Sequence, residues 1–563
     1  MSGAGKVVRA KAVQGRVFQT SDDVDFVIVG SGAAGGVMAR ELSVAGFTVV
    51  VLEQGPRIES EEFRHDEWAY KNTGELSWGA RQGHPQTYRR TEDDTAEPRD
   101  ALGYAHNVGG SSVHFAANYW RFRDIDFRER SLIGPIEGAS VADWPISYDD
   151  LEPYYSRVDW EIGVSGLAGP WDPRRSRDYP CPPMPVKSPG VLLERGGRAL
   201  GYQAYPAPVA ILSEPHNGRA PCAHCGFCWG FGCEYGAKSS TLVAMIPQAE
   251  ATGRCEIRTM STVHRVETDA AGRATGVLYW DAEGVEHRQR ARAVVLAANG
   301  AETPRLLLLS ESSRFPDGLA NSSGMVGRNL MFNGWSWTVG QFEQPVNAFK
   351  GIPATRVIHD FYTIDPALGF YGGGGIDSRC AADGTPIGFA DWAVPPDGPQ
   401  WGAEYAASLK ELFTHTAAFV GHTTSLPVPT NSVSLDPTLT DRWGRPALRT
   451  TYADHPHDAR TMVFFEERAE ELMEAAGATR VWGENGSDWD PTSLHLLGTC
   501  RMGDDPGSSV VDRYHRAHDV PNLFICDGSS LVSSGRGQPT MTIQALAFRA
   551  GEYIAEAAGR REV

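Results

Sequence analysis

Four cysteines, Cys222, Cys225, Cys228 and Cys233, fall within twelve consecutive residues of this 563-residue chain. Their spacing, C-x2-C-x2-C-x4-C, suits clustered thiolates that ligate iron–sulfur or zinc. Structural zinc more often pairs two C-x2-C knuckles across a longer loop, which is missing here; three thiolates at two-residue spacing resemble ferredoxin ligation instead. Further upstream, Gly30-Ser31-Gly32-Ala33-Ala34-Gly35 has the form G-x-G-x-x-G. Its first glycine allows a tight turn, its second lets the backbone approach a pyrophosphate, and its third lets helix and strand pack closely. Glu53 stands where a carboxylate can accept hydrogen bonds from a ribose diol. This unit alone does not separate FAD from NAD.

The elements around these residues read as follows. Val24–Gly30 (VDFVIVG) is an apolar run that predicts a buried parallel strand. A helix through about residue 45 and a second strand, Thr48–Glu53, complete a β-α-β unit. The free N–H groups of that helix's first turn, with its positive dipole end, would face the phosphates. Residues 57–100 read as a surface excursion, 149–163 as a helix, 255–298 as a β-meander, and 540–557 as a closing helix. The fold class is α/β: a Rossmann-like domain assembled from non-contiguous segments, 20–325 and 486–563. Between them, 326–485 reads as an inserted α+β substrate domain on an antiparallel sheet.

Bulk properties exclude several functions. The formal charge of −18 and the absence of a long Lys/Arg cluster disfavour nucleic acid as a partner. Apolar runs such as TVVVL and AVVLAA are strand-length, so no membrane insertion by this chain is expected. Residues 1–23 contain no apolar core of the kind a secretory signal needs.

Four further segments, HNVGGSSVHFAAN at 106–118, NGAETPRLLLLS at 299–310, HLLGTCRMG at 495–503 and DGSSLVSSGRGQPTMTI at 527–543, together resemble the glucose-methanol-choline (GMC) oxidoreductases. The cysteine-bearing stretch is similar to the large flavoprotein subunits of bacterial gluconate, fructose and glucose dehydrogenases and of glucoside 3-dehydrogenases. The resemblance implies FAD as cofactor, with Gly109, Gly110, Ser111, Ser112 and Asn118 along the flavin. It puts Asp527, Gly528, Thr540 and Met541 against the phosphates and pyrimidine end, and Val263 near the adenine. His114 occupies a position that some members join covalently to the flavin.

Oxidising an alcohol requires a base for the hydroxyl proton and an acceptor for the hydride. The resemblance assigns the base to His495, and a neutral imidazole suits that task. The family's second polar group, usually His or Asn before Pro-Thr, is here Gln538, one methylene longer than Asn. A three-iron cluster on Cys222, Cys228 and Cys233 is implied by the related glucose dehydrogenases, leaving Cys225 as a non-ligand. A flavin takes two electrons together and an iron–sulfur centre passes them singly. The pairing implies a sugar or polyol dehydrogenase that forwards electrons to a cytochrome c subunit. The alternatives are a flavin oxidase of the same fold with zinc on its cysteines, or a non-catalytic electron-transfer subunit. Relatives with this cysteine arrangement imply residence in the periplasm, reached through a small companion subunit bearing a twin-arginine-type signal; a cytoplasmic enzyme is the alternative.

Overall fold

A computed structural model describes residues 18–69, 84–382, 384–488, 491 and 493–563. The strand Val24–Val29 lies inside a parallel array. Val49–Leu52 and then Cys255–Arg258 lie on one side of it, and Glu286–Leu296 and then Leu523–Ile525 on the other. Val27, Ile28, Val50 and Val51 are fully buried, as a parallel strand covered on both faces requires. Burying each such side chain contributes about 1.5–3 kcal/mol. The helix Gly35–Val44 packs against the closing helix Thr540–Gly559, and so does Tyr148–Ile162. Ser147 starts that last helix: its hydroxyl accepts from the Asp150 N–H, and Asp150 accepts from the Ser147 N–H. These bonds satisfy backbone donors that the first turn leaves open.

The strand Glu286–Leu296 joins two kinds of pairing. Its C-terminal half runs parallel to Val24–Val29; its N-terminal half pairs antiparallel with Ala274–Trp280, which pairs in turn with Thr262–Thr268. The meander expected over 255–298 therefore starts at Thr262, because Cys255–Arg258 continues the parallel array through Val49–Leu52.

A six-stranded antiparallel sheet contains Trp335–Gln341, Arg356–Ile358, Gly374–Arg379, Thr416–Thr423 and Arg480–Asn485, with Ala204–Pro206 added at one edge. The helix Pro456–Ala475 covers it and buries Phe465, Leu472 and Met473. A smaller sheet pairs Ser432–Thr440 with Pro446–Thr451, then Gln86–Arg89 and Glu97–Pro98. Its third strand corrects the reading of 57–100 as a surface excursion at residues 86–89, while residues 70–83 of that segment lie outside the described residues. Gln86, Thr87 and Tyr88 are buried there, with Tyr88 donating to the Tyr452 carbonyl. The strand carries polar groups on both faces, so no apolar alternation announced it.

Candidate active site

The glycine turn at the end of Val24–Val29 opens into a cleft enclosing about 1370 Å³, part of it open to solvent. Gly30 has φ +92°, a left-handed conformation that glycine adopts without penalty. Gly32, Ala33 and Ala34 line the cleft, and no side chain caps the N-terminus of the helix that follows. A Cβ built on Gly110 would fall 2.8 Å from the Cα of Gly32. The two glycine segments thus meet backbone to backbone, and neither wall carries bulk there. Gly109 packs on Val113 and Leu242, while Ser111 and Ser112 join Gly110 on the cleft wall. Gly35 faces the strand rather than the cleft: its Cβ would stand 2.0 Å from the Gly30 carbonyl oxygen.

Glu53 is also on the wall, and its carboxylate holds the turn together. One oxygen accepts from the N–H and hydroxyl of Ser31 at 3.0 and 2.7 Å, and the other from the Gly55 N–H at 2.9 Å. The Ser31 hydroxyl in turn accepts from the Gly109 N–H at 3.1 Å. Burial raises the Glu53 pKa, and these hydrogen bonds oppose the rise. The Gln54 N–H bonds it as well, so this carboxylate fastens the turn on the wall where a ribose would lie.

On the cleft wall, Val263 lies beside His264, whose ring stacks on Trp280 at 3.9 Å. Arg305 and Arg445 are on the wall too, Arg305 pairing with Asp441 at 2.7 Å. His495, Gly528, Pro539 and Thr540 also line it. Asp527 lines the cleft too, but its acceptor positions are already used. It takes bonds from the Asn299 N–H, the Thr303 hydroxyl, and the N–H and hydroxyl of Ser529. Asp527 therefore fastens the strand end to the helix Asn299–Leu309 rather than offering a free carboxylate.

Besides Gly109, three residues that the resemblance sets against the cofactor stand off the cleft wall. Met541 is fully buried in the core. The side chain of Asn118 turns to the antiparallel sheet and donates to Asp377. His114 is buried, with Nε2 at 3.1 Å from Asn107 Oδ1; burial takes its pKa down to about 3.

His495 has a defined tautomer. Its Nδ1 lies 2.9 Å from Asn333 Oδ1. The amide nitrogen of Asn333 donates to the carbonyls of Thr423, Ser534 and Gly535 at 3.0, 3.3 and 3.4 Å. Those carbonyls only accept, so the Asn333 oxygen must face the imidazole. Nδ1 therefore carries the proton and Nε2 keeps its lone pair. Burial, and secondarily the nearby His422, lower the His495 pKa to about 3. Neither Asn333 nor His422 stood out in the sequence, since both lie in or beside the region that resembles little else.

This shift carries a pH prediction. The base stays neutral far below the usual histidine range, so kcat/KM should show no acid limb centred near 6.5. Between about pH 3 and 6.5 the unfolded chain binds a proton here that the folded one does not, so this group makes stability rise with pH across that window. A pH–rate profile from 5 to 8 with an acid limb near 6.5 would show that the imidazole titrates normally.

Gln538 is half-buried and its Nε2 lies 3.1 Å from His422 Nδ1. His422 Nε2 lies 3.0 Å from Asp377, which also holds Arg379 by two bonds of 2.8 Å. Charge partners outweigh burial at Asp377 and hold its carboxyl well below the usual range.

The cysteine loop departs from expectation. Cys222, Cys225, Cys228 and Cys233 are free thiols, and the pKa values of Cys222, Cys225 and Cys228 are raised, by burial and then by the neighbouring thiols. Burial comes first among the causes, pushing Cys222 up to about 11. Three of the sulfurs meet separate partners: the His224 N–H, the His65 ring and the Lys238 N–H. Among the described residues, no three His, Cys, Asp or Glu side chains are placed to hold a metal. No electron-transfer step is derived through them. No helix among the described residues is long and apolar enough to cross a membrane.

The cleft fits FAD: a side-chain-free backbone cradle, a stacked His264–Trp280 pair and the buried His495 imidazole all line one space. Family models described as GMC oxidoreductase match residues 24–333 and 427–547. The chain is 35% identical to 2-methyl-1,2-propanediol dehydrogenase of Mycolicibacterium austroafricanum, over 95% of this chain and 96% of that one. It is 30% identical to the fructose dehydrogenase large subunit of Gluconobacter japonicus, over 94% and 97% respectively. In fold it is similar to Aspergillus oryzae formate oxidase, solved for the effect of a mutation on its FAD modification, with TM-score 0.65 at 15% identity over 96% of this chain and 100% of that one. With motifs, fold and cleft in agreement, the chain belongs to the GMC oxidoreductase family, whose cofactor is FAD.

Proposed function

We propose that this chain is a dehydrogenase that oxidises a carbinol carbon of a small polyol or sugar. The observation that carries the reading is His495, whose lone pair at Nε2 is fixed by Asn333 on the cleft wall beside Pro539 and Thr540. FAD, when bound, supplies the hydride acceptor. The protein's own part is to hold the carbinol C–H in line, to take the hydroxyl proton at His495 Nε2, and to keep water from the reacting atoms. Asn333 stabilises the imidazolium formed when Nε2 takes the proton, because Nδ1–H already donates to it.

The names of the diol dehydrogenase and of the fructose dehydrogenase large subunit support a dehydrogenase acting on a hydroxyl-bearing carbon. The second name, with its "large subunit", supports smaller partner subunits; a cytochrome c subunit as acceptor and a companion subunit that brings the chain to the periplasm are part of the same proposal. Iron–sulfur ligation by Cys222, Cys228 and Cys233 rests on their spacing and mutual closeness, and belongs to the same proposal.

One experiment addresses these parts together. The purified holoprotein is mixed anaerobically with a panel of diols, polyols, aldoses and glycosides, while its flavin absorbance and iron content are measured. The reading predicts bleaching by at least one of them, iron in stoichiometric amount, and faster reduction of an artificial dye than of oxygen. A panel that leaves the flavin oxidised would overturn the substrate reading, and zinc in place of iron would overturn the iron–sulfur part.

A further inference from the structure

Gln538 stands where the family resemblance places the second polar group of the site, yet it does not act alone. His422 Nε2 lies 3.0 Å from the Asp377 carboxylate, which can only accept, and 3.3 Å from Arg379 Nη2, which already donates to that carboxylate at 2.8 Å; the nearer, charged acceptor takes the imidazole proton's bond, so Nε2 carries the proton. His422 Nδ1 then has a lone pair, and it meets the Gln538 amide nitrogen at 3.1 Å. Asp377 is itself fixed by Arg379 and Asn118 and is fully buried. Trp120 packs edge-on against the His422 ring at 5.4 Å and holds its plane. A Cβ on Gly537 would lie 2.9 Å from the His422 Cβ, so the loop before Gln538 is pressed onto this strand. Each step fixes the next, and the last one fixes which end of the Gln538 amide is turned outward. It is the carbonyl oxygen, which accepts no hydrogen bond from the described residues.

A carbonyl oxygen needs a donor. The reacting hydroxyl cannot serve, because its proton goes to His495 as the carbon is oxidised; an oxygen gaining negative charge opposite another acceptor would be repelled. A hydroxyl on the neighbouring carbon has no such conflict. We infer that Asp377, His422 and Gln538 form a positioning relay that presents the Gln538 carbonyl oxygen to a second hydroxyl, so that the site selects vicinal diols over alcohols with a single hydroxyl. This rests on the proposed alcohol oxidation and narrows its substrate class. Gln538 would touch the substrate directly; His422 and Asp377 act through it. The extra methylene of glutamine, relative to asparagine, lets its amide reach back to His422 from the position next to Pro539 and Thr540 of the cleft wall.

The test compares matched pairs with the holoenzyme: 1,2-propanediol against 1-propanol and 2-propanol, and a methyl glycoside against its monodeoxy analogues. Wild-type kcat/KM should favour the member with adjacent hydroxyls by about 10–100-fold, the usual consequence of leaving a site acceptor unpaired. Gln538→Leu should remove that preference, lowering kcat/KM for the diol by at least about tenfold more than for its deoxy partner. His422→Phe should remove most of it, and His422→Gln, which keeps an acceptor, should restore part. A merely structural role would lower both members of each pair together. Flavin absorbance per chain reports whether each variant is loaded, and wild-type and Gln538→Leu values decide the matter even if a His422 variant does not fold. Equal kcat/KM within the wild-type pairs, or an unchanged ratio in Gln538→Leu, would overturn the relay while leaving alcohol oxidation in place. Failure of every alcohol to reduce the wild-type flavin overturns the activity itself, and the relay with it.

Discussion

Replacing His495 with alanine is expected to leave a folded, FAD-loaded protein whose turnover is lower by about 10²–10⁴-fold, the usual worth of a positioned general base. That range corresponds to about 2.7–5.4 kcal/mol of lost transition-state stabilisation. The loss should fall on kcat and kcat/KM together, since the proton moves only in the reacting complex. Folding should be spared because His495 is at a cleft wall, and among the described residues its only side-chain bond is to Asn333. Steady-state kinetics together with the flavin-to-protein ratio check this. Near-wild-type turnover in a loaded variant would remove His495 from the mechanism.

The second large effect concerns the cradle. A Cβ added at Gly32 meets only the Gly110 Cα, at 3.9 Å, so the folded chain has room for it. That room is the cleft, where a pyrophosphate would have to approach the backbone. Gly32→Ala should therefore weaken FAD binding by about tenfold or more while the melting temperature of the apoprotein stays within about 2 °C of wild type. Gly35→Ala should behave differently. Its Cβ would fall 2.0 Å from the Gly30 carbonyl oxygen, a clash with backbone that no rotamer relieves, so it should lower apoprotein stability by about 1–3 kcal/mol or more. Calorimetry of the apoproteins and FAD titration separate the two. Equal loss of stability in both variants would mean that Gly32 serves packing rather than the cofactor.

Which parts of the molecule could be seen in the sequence follows from how local their causes are. The strand Val24–Val29, the glycine turn and the helix Gly35–Val44 are dictated by neighbours in the chain, so a run of apolar residues and three spaced glycines announced them. Glu53 was visible as a carboxylate ending a strand, but its grip on Ser31 and, through it, on Gly109 depends on contacts across 22 and 78 residues. The segment 57–100 was misread because Gln86–Arg89 is held by pairing with Pro446–Thr451, a partner far away in sequence. Asn333 and His422 escaped notice for the same reason: each is unremarkable in its local stretch and gains meaning only where the antiparallel sheet meets the cleft. Gln538 was noticed as a departure from the family pattern, and the structure supplies the partner, His422, that a longer amide can reach. The cysteine spacing was the loudest local signal. It speaks for ligand types and their order along the chain, whereas the directions of the sulfurs depend on how the whole loop is seated.

The central claim is that a carbinol C–H gives its hydride in this cleft while His495 takes the hydroxyl proton. The most direct measurement is anaerobic stopped-flow reduction of the bound flavin by a reacting alcohol, with and without deuterium on the carbinol carbon, in wild type and His495→Ala. The account predicts a primary isotope effect on flavin reduction in the wild type, and reduction slower by about 10²–10⁴-fold in the variant. Flavin reduction that is insensitive to carbinol deuterium, or equally fast without the imidazole, would contradict it.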